Sequence, residues 1–372
     1  MIIFATGISG SERYEYLTEV RKMAGKKLEI KDIGTLMFEK SKQLGINIPE
    51  GKILDLDPYA LKYLRAAIFE EILKEMHLYR GPSKRDLIIS SHTCFRWKKH
   101  LLPAFNFHYL NQLDPDLYIT IVDNVHYIKA RLEARSHWRS RLSLKDIMIW
   151  RDEEIFVTEM IASFHRKPHY MIARNEPPKL LYNIIYGVEK RLLMGERAMP
   201  KAYLSYPITY MRADSKWMMQ KDKVKERLRE AGIIVFDPIS IEEAEIIGQV
   251  EQLKKKGEKF FEVSVNGCKC KIPISEVEAI KEDIVDQIVV RDYKLIEQSD
   301  MIIVFYPVKT LSPGVLSEIN YGFTHNKDVY AIFPYETRSP FFEYYTTKIF
   351  KNVDELISHL KEIEAIGVTK NS

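Results

Sequence analysis

Short apolar runs alternate with amphipathic stretches along most of the chain. A strand buried on both faces reads as a continuous apolar run, and helical periods between such runs mark a parallel α/β sheet. In the first half this pattern predicts strands at Ile2–Ala5, Leu87–Ser90 and Leu117–Val122, with a less sharp one at Tyr170–Ile172. In the second half it predicts Ala202–Leu204, Ile233–Phe236, Met301–Phe305 and Val329–Ile332. Between the two sets, Asn183–Ala198 reads as a helix and then a loop, and Pro200 precedes a fresh strand. The expected architecture is therefore α/β in two domains, 1–195 and 200–365, each a mainly parallel sheet flanked by helices. The segment Ile241–Lys281 is long for a connection inside a compact domain. It holds Phe261–Val265, then Asn266-Gly267, then Cys268–Ile272. Asn-Gly between alternating strands is the strongest short hairpin signal. A two-residue turn sets Val265 opposite Cys268 and Val263 opposite Cys270. This hairpin, near 258–274, is expected as an insertion in the second domain.

Composition narrows the class. A chain of 372 residues has room for two cores, and 46% hydrophobic with 29% charged residues excludes a disordered chain. The net charge of +4 permits anionic small ligands but gives no case for nucleic acid. Three cysteines, Cys94, Cys268 and Cys270, without framework spacing fit a reducing cytosol. The opening MIIFATGISG lacks the basic and small-residue flanks of a secretory signal and reads as a strand and turn. No apolar run reaches the roughly eighteen residues of a membrane span. Abundant Lys, Glu, Ile and Tyr with little Gln lean towards a thermophile. His92, His165 and His169 do not share metal-ligand spacing, and Cys268 and Cys270 lack further ligands nearby. No metal and no cofactor is assigned. The tryptophans, Trp97, Trp138, Trp150 and Trp217, are expected in cores or interfaces.

The candidate chemistry lies in the segment Ser312-Pro313-Gly314-Val315-Leu316-Ser317-Glu318-Ile319-Asn320-Tyr321-Gly322. Ser312 is a good N-cap and Pro313 suits the first helical position. Gly314 bares the backbone at a helix start, where free N–H groups and the dipole favour anions. Glu318 sits more than one turn further in, within reach of a ligand over the strand ends. Taken alone, it could equally be a solvated helix residue.

Two more segments bear on it. Tyr203-Leu204-Ser205-Tyr206-Pro207-Ile208-Thr209 ends the first strand of the second domain, and Arg291-Asp292-Tyr293 lies on the helix before the strand that leads to Glu318. The ordered set over residues 201–335 resembles the nucleoside 2-deoxyribosyltransferase superfamily, which includes the 2'-deoxynucleoside 5'-phosphate N-hydrolases. The resemblance implies a flavodoxin or Rossmann-like domain in which Glu318 attacks the anomeric carbon, Asp292 serves the leaving base, and Tyr203 orients Glu318. It also implies a pocket completed across a homodimer, with the aromatic segment Phe341-Phe342-Glu343-Tyr344-Tyr345 suited to burial between subunits. Substrate-binding residues by the same resemblance are Ser312, Gly314, Pro207 and Arg212. The transferases carry an acidic residue where this chain has Ser312, and the monophosphate hydrolases carry Ser. The substitution favours a nucleoside monophosphate. The hydrolases' first-loop Gly-Ser-Ile-Arg is absent; this chain has Tyr206-Pro207-Ile208-Thr209, with Arg212 three residues beyond. Asp300 is expected to orient a strand start and takes no part in the chemistry.

In the first domain the strand Ile2–Ala5 runs into Gly7-Ile8-Ser9-Gly10-Ser11-Glu12-Arg13-Tyr14. A P-loop needs Gly-x-x-x-x-Gly-Lys-Ser/Thr to cradle phosphates. Here Glu12, Arg13 and Tyr14 replace its last three fixed residues. Asp32-Ile33-Gly34-Thr35, Ser90-Ser91-His92-Thr93 and Leu113-Asp114-Pro115-Asp116 nonetheless resemble segments of archaeal adenylate kinase-like nucleoside monophosphate kinases. That resemblance implies a kinase-like fold with a degenerate P-loop at Gly7, Gly10, Ser11 and Arg13. Arg131, Arg135 and Arg139, spaced by four on an expected single helix face, are candidate lid arginines; a solvated basic face is the alternative.

The leading functional expectation is an N-glycosidase acting on a (deoxy)nucleoside 5'-monophosphate. Base exchange, nucleotide kinase activity and non-catalytic nucleotide sensing stand as alternatives. The expected partners are a nucleotide or nucleoside substrate and a second copy of the chain, with no nucleic acid and no membrane.

Overall fold

The computed structural model describes residues 1–49, 51–80, 85–97, 100–192, 199–212, 214–241, 243–310, 312–336 and 339–366, with only the backbone at 188–192. The chain divides into two compact units: Met1–Pro178 with Ile241–Val285, and Lys179–Ser240 with Asp286–Ser372. The loop expected between two sequential domains falls at 193–198, outside the described residues.

The first unit carries β1 (Ile2–Thr6), β2 (Leu28–Asp32), β3 (Asp86–Ser90), β4 (Cys94–Trp97), β5 (His100–Pro103), β6 (Leu117–Val122) and β7 (His169–Ala173). Five of these form a parallel sheet in the order β2-β3-β1-β6-β7, and β4 and β5 pair as a small antiparallel ribbon. Every residue of β1, β3 and β6 is buried, which is why they read as unbroken apolar runs. One side of the sheet packs Phe4, Leu87, Ile89 and Tyr118 against Ile68, Phe69 and Ile72 of the helix Pro58–Lys74. Trp97, Trp138 and Trp150 are all buried in this unit.

The first strands of the second unit are β8 (Lys201–Ser205) and β9 (Ile234–Phe236). The hairpin β10 (Phe260–Val265) and β11 (Cys268–Pro273) follows in sequence but belongs to the first unit. Its register pairs Val265 with Cys268 and Val263 with Cys270, as the Asn-Gly turn requires. Assigning it as an insertion in the second domain needs correction, and the cause is electrostatic as much as apolar. Glu243 and Arg151 are both fully buried and share two hydrogen bonds of 2.6 and 3.1 Å. The Glu243 carboxylate also accepts from the Val125 amide at 2.8 Å. At the hairpin tip the Asn266 side chain donates to both oxygens of Glu12, at 2.8 and 2.9 Å. Local composition cannot announce such a buried pair, because its members are far apart in sequence.

The second unit is completed by β12 (Met301–Phe305), β13 (Asp328–Ile332) and β14 (Lys348–Phe350). Its parallel sheet runs β14-β13-β12-β8-β9. Counted along the sheet's own strands this is the flavodoxin-like order 2-1-3-4-5, with the winding reversing between β8 and β12. In such sheets ligands settle at the carboxyl ends of the strands at the reversal. Asp300 accepts from the Lys201 amide at 2.8 Å and so fixes the start of β8 beside β12. No helix among the described residues is long and apolar enough to cross a membrane.

Candidate active site

Tyr203 and Ser205 are two residues apart on β8, so their side chains leave the same face of the strand. Both reach the same carboxylate. Tyr203 Oη donates to Glu318 Oε1 at 2.9 Å, and Ser205 Oγ donates to Glu318 Oε2 at 2.5 Å. Glu318 projects from the second turn of the helix Pro313–Thr324, which follows β12. Gly322 lets that helix approach the sheet, since a Cβ there would lie 2.3 Å from the Ile302 side chain.

Glu318 edges a cavity of about 500 Å³ at the reversal between β8 and β12, while Tyr203 and Ser205 hold its carboxylate from outside the lining. Its other walls come from Ile208 to Tyr210, from Ile288, Val289, Asp292 and Tyr293, and from the helix start at Ser312 to Val315. Ile288 and Asp292, like Val289 and Tyr293, are four apart and share a helix face. The volume suits a nucleoside-sized ligand.

Burial pushes both carboxyl groups above their ordinary range. For Glu318 burial is the largest cause and the neighbouring Asp292 the second, while the Ser205 and Tyr203 hydroxyls pull the other way. For Asp292 burial again leads, with Arg291 opposing it and Asp237 adding to it. The two groups share one site and therefore titrate as a pair. Glu318 accepts two hydroxyl hydrogen bonds, which favour its charged form, and Arg291 favours that of Asp292.

The start of the helix Pro313–Thr324 opens onto the cavity. Ser312 stands at the N-cap, but its hydroxyl makes no cap bond. It is nine-tenths buried and lines the cavity. Its backbone N–H is spent on Tyr306 Oη at 2.7 Å, and Tyr306 Oη in turn donates to the Thr310 carbonyl at 2.8 Å. A Cβ added at Gly314 would meet nothing within 4 Å, so the fold itself does not demand glycine there.

Two residues expected at this site stand elsewhere. Pro207 is buried at the start of the short helix Ile208–Arg212, and Arg212 is exposed at its end; neither lines the cavity. The helix carries the chain across the mouth on Ile208, Thr209 and Tyr210 instead. Sequence reasoning missed Ser205, although its two-residue spacing from Tyr203 was the available signal. It also missed Asp237, which is fully buried at the end of β9. Asp237 accepts from Tyr206 Oη at 2.7 Å, Lys221 Nζ at 3.0 Å and Lys225 Nζ at 2.8 Å, and so fixes the Tyr206 wall. Its lysines lie one helical turn apart, a pattern shared with any solvated helix.

In the first unit the loop after β1 is closed by its own side chains. Gly7 and Gly10 adopt positive φ, and Glu12 enters the left-handed region at φ 54. Glu12 forms ion pairs of 3.1 Å with both Arg131 and Arg174. Arg13 donates to the Gly7 carbonyl at 2.5 Å and to Ser90 at 2.9 Å, with Asp32 at 3.6 Å. Ser11 is buried beneath the loop. The three arginines do not share a helix face. The helix Val125–Ala134 ends before Arg135, which adopts an extended conformation, and Arg139 lies in the following turns. The break follows from Trp138, which leaves the helical path to pack against Trp97 and Trp150. Arg131 is buried against Asp123 at 2.6 Å and the Gly10 carbonyl at 2.8 Å, while Arg139 is exposed and bonds the Glu133 carbonyl.

No family model matches the chain, and no curated protein matches it. Solved structures similar to it include a deoxyadenosine kinase from M. mycoides with dCMP and a flexible dCDP bound, at 11% identity and TM-score 0.29. An uncharacterized protein from Eubacterium ventriosum is similar at 13% identity and TM-score 0.27. Each comparison covers 51% of this chain and 99% of the other. Likenesses this shallow carry no weight on activity.

Proposed function

We propose that the second unit is an N-glycosidase that cleaves the base–sugar bond of a (deoxy)nucleoside 5'-monophosphate. The observation that carries this reading is the Glu318 carboxylate, gripped by the Tyr203 and Ser205 hydroxyls beside Asp292 in a nucleoside-sized cavity. Ionised Glu318 attacks the anomeric carbon as the bond to the base nitrogen breaks. The bonding pair leaves with the base, and Asp292 supplies the proton that neutralises it. Water then attacks the same carbon, gives its proton to Asp292, and releases Glu318 as a carboxylate. The phosphate sits at the helix start, where Ser312 offers a hydroxyl and Gly314 leaves room. The test is to incubate the protein with a panel of nucleosides and their monophosphates and to quantify free base by chromatography. Release of base from none of them would remove the reading in favour of nucleotide binding alone.

Ser312→Asp puts negative charge on the proposed phosphate seat, so kcat/KM for monophosphates should fall by about tenfold or more while uncharged nucleosides change little. Equal losses for both classes would move the phosphate elsewhere.

A homodimer or larger assembly is also expected. Phe341 and Tyr344 are about two-thirds exposed, beside a buried Phe342 and an exposed Phe323. Exposed rings on one face are the stuff of subunit contacts. Light scattering at micromolar concentration should return at least twice the chain mass; the monomer mass would count against it.

Finally, ADP formation from ATP and AMP should not exceed background. Glu12 holds a carboxylate at the N-terminus of the helix Arg13–Ala24, and Arg13 is engaged by Gly7 and Ser90. Turnover abolished by Arg13→Ala would overturn this.

A further inference from the structure

A second cavity, of about 560 Å³, lies in the first unit between the helix Pro58–Lys74 and the segment 95–109. The residues of the Gly7–Arg13 loop do not line it. Its walls are aromatic. Phe69 stacks on Tyr109 with ring centroids 5.5 Å apart and an 11° interplanar angle. Phe105 and Phe107 meet edge to face at 5.1 Å. The helix adds exposed Lys62 and half-buried Arg65 to this lining, and both share a face with Phe69 at three- and four-residue spacing.

Arg65 is the telling residue. Its guanidinium is half-buried and donates to the Pro103 carbonyl at 3.3 Å. Burial alone shifts its pKa, downwards, with no carboxylate acting against it. Among the described residues no carboxylate lies within ion-pair distance of Arg65 or Lys62, in a chain where Arg13, Arg131 and Arg151 all have one. Taking a cation out of water without a counter-ion is costly, and a guanidinium has five donors to satisfy. An anionic ligand removes that cost. Asn106 adds a polar point: its Oδ1 caps the helix Phe107–Leu113 by accepting from His108, which directs its amide NH₂ away from the cap.

We propose that the first unit binds a small aromatic anion here, with the ring against the Phe69–Tyr109 wall and a phosphate or carboxylate on Arg65 and Lys62. The two charged groups share the chemistry that Arg65 reads, and competition separates them. The test is a fluorescence titration of the full chain with 8-anilinonaphthalene-1-sulfonate, a fused ring bearing one anionic group. Saturable binding is expected, weakened tenfold or more in Arg65→Ala, less in Arg65→Lys, and about threefold in the surface variant Lys62→Ala, which leaves the core untouched. Phenyl phosphate and AMP, or else indole-3-acetate, should displace the dye, and whichever class does so names the anion. Adenosine and indole, which carry the rings without charge, should compete at least tenfold less well. The proposal falls if folded Arg65→Ala and Lys62→Ala both bind the dye as wild type does. It falls equally if none of the anions competes, or if the uncharged rings compete as well as their anions.

Discussion

Glu318→Gln is expected to lower base release from the best substrate by at least about a thousandfold. An amide fills the same space and keeps contact with Tyr203 and Ser205, but it cannot form the bond to the anomeric carbon. Among the described residues no other carboxylate accepts from both hydroxyls of β8, so none of them can take over the attack. The variant should also be folded, and more stable than wild type above the ordinary glutamate pKa of 4.5. The sign follows from linkage. The folded state raises the Glu318 pKa, so above pH 4.5 the unfolded chain sheds a proton that the native state still holds. Wild-type stability therefore falls through that window as pH rises, whereas Gln does not titrate. Melting curves at pH 4 and pH 8 should show the gap between variant and wild type widening with pH. A folded variant that keeps wild-type rates would remove Glu318 from the chemistry.

The unbroken apolar strands were legible because burial on both faces leaves no polar positions to confuse the pattern. Met301–Phe305 and Leu117–Val122 stand where the runs place them, and the other expected strands differ by a residue or so at their ends. The edge strands were not legible. β2 reads Leu-Glu-Ile-Lys-Asp and is only half-buried beyond its first residue, and β14 has three residues, too few to show a period. Pairing of β4 with β5 was hidden as well, since most of β5 faces solvent. The hairpin's internal register could be read from Asn266-Gly267, because turn geometry is local. Its home could not, because that depends on Arg151 meeting Glu243 and on Asn266 meeting Glu12. The same limit separates the two expected sites. Tyr203 meets Glu318, and Asp292 shares the cavity with Glu318, because the elements that carry them converge at the winding reversal. Arg131, Arg135 and Arg139 part because a helix persists only as far as its side chains find their packing, and Trp138 finds its own with Trp97 and Trp150.

Asp292→Asn should divide substrates by how readily their base departs. The acid matters most where the leaving nitrogen develops negative charge, so poor leaving groups should slow by about a hundredfold or more, with activated bases slowing far less. The pH profile should change with it. In wild type the active form carries one proton on the pair, held by Asp292, with Glu318 ionised. Because burial raises both carboxyl groups, both limbs of a bell-shaped kcat/KM profile should lie above the ordinary carboxylate range. Rate is lost on the acid side as Glu318 takes up a proton and on the alkaline side as Asp292 gives its proton up. In Asp292→Asn the alkaline limb should vanish for activated substrates. The acid limb should stay close to its wild-type position, because Glu318 ionises beside an Asp292 that is still neutral and burial is what holds its pKa high in that step. An alkaline limb that stays where it was, in a variant slowed equally on good and poor leaving groups, would mean that Asp292 shapes the cavity and handles no proton.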